Sequence, residues 1–385
     1  MNRRKVNFLL VVFVVSVTLH IYFDRVTDVF NYLKDEICFE WKEKFPTEFT
    51  QVASTSSKES TLVLFYTKCF SDKCVPHYHT SYEYNPKCNC NFKRFELIYN
   101  PDRFLESDIV IFHGRNMPCL RTLRKLHKQR KPNQLWAYFI MENPTYHTKL
   151  KSFEKYFNMW ISYRLTSDVY VPYRRHFRLN SASAIPKLNY ALNKTRQVAW
   201  LVSSCGKLRE ELAHKLIKYG IKIEVVGKCA KHFKFQLQCN KHDCKEELKS
   251  FKFYFAAENT LCDDYVTEKY WRKGFDYNAI PIVFGGANYS NPKLVIPGSF
   301  IDAMSFNSVK DLAEYIKEVD NDDDKFNSYF EWKKYWGFEH PNGCDPFYQQ
   351  LCERMHTRRD RTLSSYINHD ECKAKTIFFK SWINR

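Results

Sequence analysis

Neither of the glycine-rich loops that most often hold nucleotides occurs in this chain. No GxGxxG run follows a strand, and no GxxxxGK[ST] opens a helix. Any nucleotide must be held another way. A clear Asp-x-Asp site of the kind that carries Mn²⁺ is also missing, since Asp322-Asp323-Asp324 reads as a solvated acidic run after a helix. No nucleic-acid module is visible, although the formal charge is +17 with 60 Lys+Arg against 43 Asp+Glu. The stretch from Cys239 to Cys244 holds a histidine, but no second ligand pair stands at zinc-finger spacing. No cysteine precedes Cys38, and all 14 lie between there and Cys372.

What is present starts with an apolar run. Arg3, Arg4 and Lys5 precede Val6 to Phe23, which is broken only by Asn7, Ser16, Thr18 and His20. The length suits a slightly short membrane helix, and the basic cluster predicts a cytosolic N-terminus. A cleaved signal peptide is the rival, but the run does not end in small residues. The cysteine load suits an oxidising compartment, with Cys69/Cys74, Cys239/Cys244 and Cys344/Cys352 as local candidate pairs. Asn193 and Asn288 head glycan acceptor sequons. In that setting the positive charge fits the pyrophosphate of a nucleotide-sugar better than nucleic acid.

Residues 1–5 then read as a cytosolic tail, 6–23 as a transmembrane signal anchor and 24–59 as a stem. TLVLFY from Thr61, DIVIFH at 108–113 and QLWAYFIMENP at 134–144 read as buried strands, with a basic helix at 120–130. A second series begins near Gln197. It runs QVAWLVSS, a helix to Gly220, IKIEVVG, FKFYFAAEN, a helix over VTEKYWRKGFDYN, AIPIVFGG, and a helix at 307–319 that Asn307 caps. Two α/β domains facing a cleft follow, at 60–190 and 191–335, with a disulfide-containing extension at 336–385. Ligands of open α/β sheets sit beyond the C-terminal strand ends. That rule points to Glu142, Ser203-Ser204, Glu258-Asn259 and Gly285-Gly286.

The stretch FYFAAENTLCDDYVTEKYWRKGFDYNAIPIVFGG resembles the donor-binding signature of the α1,3/α1,4-fucosyltransferases, the inverting GT10-type family. Lys194 to Ser204, Phe157 to Asp168 with Val171-Pro172-Tyr173, and Leu135 to Pro144 resemble further segments of that family in the expected order. The resemblance spans roughly 60 to 335 together with the anchor. It implies a GT-B fold of two Rossmann-like domains, a Golgi membrane protein of type II with a luminal catalytic domain, and inverting transfer of L-fucose from GDP-β-L-fucose to a GlcNAc-containing glycan. Such a transfer needs one base and positive charge to steady the departing diphosphate. No cofactor is required, and a divalent cation such as Mn²⁺ would be at most stimulatory. Homodimers through the stem or anchor are compatible with cysteines such as Cys38.

By resemblance Glu142 is the general base, and its place after a hydrophobic strand agrees. Arg209, in the first turns of a helix, and Lys269 match phosphate-binding positions. Glu268 matches a residue holding fucose or ribose hydroxyls. Tyr265 is expected on the guanine or the sugar. Glu258 and Asn259 offer partners for hydroxyls, and Arg164 for substrate. Asp168 reads as structural, and His113 and Arg115 resemble part of an acceptor motif. Departures from the pattern are Leu165 and Thr166, Gly114 and Asn116, and Ala257. They weaken the acceptor side and leave N-glycan core fucosylation or an invertebrate-type antenna open. Rival readings are a GT-B transferase with another nucleotide-sugar and a non-catalytic luminal glycan binder.

Overall fold

A computed structural model describes residues 60–68, 81–83, 94–144, 150–184, 188–239, 244–338, 346–357 and 369–385. Two compact units emerge. The described residues of the first fall within Met1–Glu83, Lys93–Tyr138 and Lys149–Asn158; those of the second fall within Tyr84–Phe92, Phe139–Thr148 and Met159–Arg385. Two α/β units are an arrangement consistent with GT-B.

The first unit is built on strands β1 (Thr61–Phe65), β2 (Ser81–Glu83), β3 (Arg94–Ile98), β4 (Ile109–His113) and β5 (Leu135–Ile140), in the order β2-β3-β1-β4-β5. β1 runs parallel to β3 and β4, with Thr61 opposite Phe95 and Val63 opposite Ile109. Every residue of β1, β4 and β5 is buried, which is why these strands read as unbroken apolar runs rather than alternating ones. Helix α1 (Leu120–Gln129) buries Leu120, Leu123 and Leu126 and turns its basic residues outward.

In the second unit, β6 (Met159–Ser162) pairs in parallel with β7 (Val169–Tyr170). β8 (Phe177–Arg178) pairs antiparallel with β14 (Trp336–Gly337). The main sheet comprises β9 (Arg196–Leu201), β10 (Ile223–Val226), β11 (Phe251–Ala257), β12 (Ile280–Phe284) and β13 (Ile301–Asp302), all parallel, in the order β10-β9-β11-β12-β13. After β10 the chain crosses back to place β11 on the far side of β9. The direction of winding therefore reverses between β9 and β11, which opens a crevice at their C-terminal ends.

Helix α2 (Leu208–Lys218) joins β9 to β10 and stops at Gly220, φ +88°. There Gly220 N–H donates to Ile217 O at 2.9 Å and Ile221 N–H to Leu216 O at 3.1 Å, a Schellman motif. α3 (Val309–Asn321) buries Val309, Leu312, Ile316 and Val319 as its pattern requires. Its cap is Ser308, whose hydroxyl accepts from Asp311 N, and not Asn307. A serine one residue on reaches the orphan N–H directly. Asp322 likewise caps the short helix Asp323–Ser328.

Two more expectations change. The helix over VTEKYWRKGFDYN becomes a π-helical turn, Lys269–Gly274, and then a 3-10 turn, Phe275–Tyr277. The wider turn lets the neighbours Tyr270 and Trp271 both face the core, where both are buried. The membrane helix at 6–23 lies outside the described residues. Among the described residues no helix is long and apolar enough to cross a membrane. The longest helix among them, α5 (His369–Ile383), has 15 residues. At ~1.5 Å per residue it falls well short of a ~30 Å hydrocarbon layer. No described helix therefore supports the transmembrane anchor, the type II topology or the Golgi membrane as partner and location expected from the sequence. α4 (Pro346–His356) and α5 make up much of the described C-terminal segment, and Phe379, Trp382 and Ile383 of α5 join the core around β9 and α2.

Candidate active site

The crevice between β9 and β11 is bridged by one side chain. Arg209, two residues into α2, turns inward rather than toward solvent and is only 3% exposed. Its guanidinium donates to Ala257 O, at the end of β11, at 2.9 Å and to Ser204 O, beyond β9, at 3.0 Å. Nε has no hydrogen-bond partner, and no carboxylate among the described residues lies within ion-pair distance. Burial pulls its pKa below the ordinary arginine value, and the negative charge of Glu258 works against that shift. A buried cation that donates only to carbonyls, with the Trp200 ring 5.9 Å away and no ion-paired carboxylate, favours an anion at this position.

Beyond β11, Glu258 is also buried. Its carboxylate accepts from Thr267 N at 2.8 Å, from Thr267 Oγ1 at 2.8 and 2.9 Å, and pairs with Lys269 Nζ at 3.1 Å. Burial pushes the Glu258 carboxyl up, while Lys269 opposes the rise. The Lys269 ammonium also donates to Thr267 Oγ1 at 2.8 Å and to the half-exposed Glu268 at 3.1 Å. Burial works to lower its pKa, but the charges of Glu258 and Glu268 outweigh this and hold it above the ordinary lysine value. Glu268 loses solvation, which raises its carboxyl; Lys269 more than reverses that and leaves it low. Glu268 precedes the π turn, and the Lys269 ammonium reaches back over Thr267 to stand between both carboxylates. Asn259 leaves its buried Oδ1 without a partner.

The sequence 265–267 continues into an aromatic nest. Tyr265 is buried against Tyr163, ring centroids 4.9 Å apart, and Tyr173, 6.3 Å apart. Burial, the charge of Glu258 and then that of Glu142 push its phenol well above the tyrosine range. Tyr173 Oη donates to Met141 O at 2.7 Å. Glu142, two residues past β5, is thereby set among the two phenols on the same unit as Arg209, Glu258 and Lys269. Arg164 is buried and committed to carboxylates: it pairs with Glu371 and stands 3.9 Å from Asp264. Asp168 pairs with Arg354 at 3.1 Å and accepts from Trp160 N.

Glu142, Arg164, Arg209, Glu258, Asn259, Tyr265, Glu268 and Lys269 therefore share one unit. His113 and Arg115 lie on the other. His113 is buried, its backbone N–H donates to Thr67 Oγ1 at 2.6 Å, and its ring stands 3.1 Å from Asn116 Oδ1; burial lowers its pKa, and Asn116 works against that shift. Residues that sequence reasoning left out are Thr267, Glu371 and Lys375. Thr267 sits inside the donor-type motif, but nothing in the local pattern marks the other two. Cys205, Glu210 and His232 bring three potential metal-ligand atoms within 4.8 Å. The Cys205 sulfur, however, is bonded to Cys229, so it is no thiolate ligand. Cys239 and Cys244 are bonded to each other, as their spacing proposed.

Comparison with known proteins adds a separate line. The family description "Fucosyltransferase, N-terminal" matches 58–174, and "Glycosyltransferase family 10 (fucosyltransferase) C-term" matches 191–369. Alpha-(1,3)-fucosyltransferase C of Drosophila melanogaster is 35% identical over 289 residues, covering 67% of this chain and 64% of that protein. A Homo sapiens 4-galactosyl-N-acetylglucosaminide 3-alpha-L-fucosyltransferase is 32% identical over 247 residues, covering 64% and 66%. The match thus spans slightly less than two thirds of each relative. A crystal structure of an alpha1,3-fucosyltransferase with GDP-fucose overlays with a TM-score of 0.45 at 18% identity, covering 80% of this chain and 92% of that one.

Proposed function

Because the chain belongs to glycosyltransferase family 10, the fucosyltransferases, we propose that it transfers L-fucose from GDP-β-L-fucose to the 3-hydroxyl of an N-acetylglucosamine in a glycoprotein glycan, with inversion. The observation that carries this reading is Arg209, a buried guanidinium without a carboxylate partner at the winding switch of a parallel sheet. A diphosphate is the natural complement of such a cation. Lys269 lies on the same strand-end cluster and adds positive charge. In this reading Glu268 and Asn259 meet sugar and ribose hydroxyls, a role in keeping with the half-exposed carboxylate of the one and the unpartnered Oδ1 of the other.

In the proposed step the acceptor oxygen forms a bond to fucose C1 as the bond from C1 to the β-phosphate oxygen breaks. The acceptor proton passes to the Glu142 carboxylate, and the electron pair leaves with GDP, whose charge Arg209 and Lys269 steady. No covalent intermediate is needed, and no acid must protonate the leaving diphosphate.

The test supplies the full-length chain with labelled GDP-fucose and a panel of N-glycans, LacNAc and LacdiNAc acceptors, and locates the new linkage by mass spectrometry and NMR. Transfer to the innermost GlcNAc makes the activity core-type, and transfer to an outer one makes it Lewis-type. Glu142→Gln is expected to lower kcat by roughly 10²–10⁴ while GDP-fucose still binds. Full turnover in Glu142→Gln would remove Glu142 as base. No transfer and no GDP-fucose hydrolysis by the parent chain would sink the reading itself.

A further inference from the structure

The segment Leu261–Asp264 lies between Glu258-Asn259 and Tyr265–Lys269, so its path decides where those side chains stand. It is gripped from two sides. On one, Gly286 presses against it: a Cβ there would meet Leu261 C at 2.4 Å and Cys262 N at 2.6 Å. On the other lies helix α5, more than 100 residues later in the chain. Cys372 is bonded to Cys262. Lys375, one turn of helix on, donates to both the Asp263 carboxylate and Gly286 O. Glu371 holds Arg164 and accepts from Asp263 N at 3.4 Å. The same disulfide packs against Tyr163 and Tyr265, with Met141, the neighbour of Glu142, at its edge.

Resting on the donor-site reading, we propose that α5 is the device that sets this loop. Lys375 and Glu371 are positioning residues that act on the donor site through Asp263, Gly286 and Arg164. One ammonium ties the 261–264 loop to the β12 exit, and one carboxylate ties it to the segment after β6. The interaction with Arg164 also explains that arginine's place: its charge is spent on Glu371 and Asp264, orienting the loop rather than meeting substrate. The far end of the helix anchors the lever, because Phe379 stacks edge-on against Phe284 with centroids 5.2 Å apart and Trp382 Nε1 donates to Phe306 O at 2.9 Å.

Full-length parent, Lys375→Met, Lys375→Arg and Glu371→Gln are compared by GDP-fucose kinetics, by hydrogen exchange of the amides from 261 to 268, and by thermal melting. Lys375→Met is expected to raise the KM for GDP-fucose about tenfold, with a smaller change in kcat, and to speed exchange in that segment about tenfold. Lys375→Arg keeps both near the parent values, because it retains the charge and two-way donation. Glu371→Gln, nearly isosteric, speeds exchange in the same segment and serves where Lys375→Met does not fold. Exchange and donor KM within about twofold of the parent in both Lys375→Met and Glu371→Gln overturn the proposal. A parent chain that turns over no GDP-fucose removes the functional reading alone; the exchange measurement then still decides whether α5 holds the loop.

Discussion

The two ends of the five-stranded sheet use the same residue types in opposite ways. At the N-terminal strand ends, charges close on each other. Arg196 forks onto Glu224 and lies over the Phe251 ring at 4.5 Å, and Lys252 meets Asp323 at 3.1 Å and Asp320 O. At the C-terminal ends, Arg209 donates only to carbonyls and lies 5.9 Å from the Trp200 ring without an ion-paired carboxylate, Asn259 has an open acceptor, and Glu258 is buried with a single ammonium against it. Matched pairs serve the fold. Charge left unmatched in a buried crevice lowers stability and is kept where a ligand completes it.

The strongest test of that contrast is Lys269→Met. It strips the cation from buried Glu258, and unfolding free energy measured in urea should fall by roughly 3–5 kcal/mol, together with loss of fucose transfer. Unchanged stability would mean that Glu258 is already neutral, in keeping with the upward push of burial on its carboxyl. Next comes a paired exchange. Arg209→Met should lower GDP affinity, read by calorimetry, by roughly 10–100-fold with little loss of stability, because no carboxylate is orphaned. Arg196→Met should do the reverse, leaving GDP affinity alone and costing about 1–2 kcal/mol, discounted for the partial exposure of the pair. Equal effects of the two on stability would erase the distinction between the sheet ends.

The smallest effect concerns an exception at the N-terminal side. Lys194 and Lys333 are half-buried without a carboxylate, meeting Tyr277 O and Asn278 Oδ1 at 2.7 Å each, and burial brings each down to about 8. Their folded values lie below the unfolded one, so the unfolded chain binds more protons between about pH 8 and pH 10.5. Stability from these sites therefore rises with pH across that window. Relative to Lys333→Met, the parent should gain roughly 1–2 kcal/mol between pH 7 and pH 10. A constant difference would show that Lys333 stays charged throughout.

Much of the fold is legible in local pattern. Apolar runs at 61–65, 109–113, 135–140 and 251–257 are strands buried on both faces, and Gly220 ends α2 because an αL turn follows. Local pattern misled where side-chain geometry decided the outcome. Ser308 rather than Asn307 reaches the free N–H of α3, and two adjacent aromatics widen the 269–274 turn. For the candidate site, the donor-type motif pointed to Glu258, Tyr265, Glu268 and Lys269, but their environment was not readable. Tyr265 is buried in a nest of tyrosines, and Lys269 has its three donors taken up by Thr267, Glu258 and Glu268.

Local sequence was enough for the family, the parallel strand content and the run of motif residues from Glu258 to Lys269, and it offered Cys239–Cys244 as a candidate bridge that the structure forms. Each depends on neighbours within a few residues or on an ordered series of local segments. Only the tertiary structure decided that Arg209 faces inward, that Arg164 belongs to Glu371, and that Cys262 meets Cys372 across 110 residues. Those outcomes depend on which strand ends and which helix are brought together. Burial then sets the worth of each charge, and burial is a property of the packed chain rather than of any stretch of it.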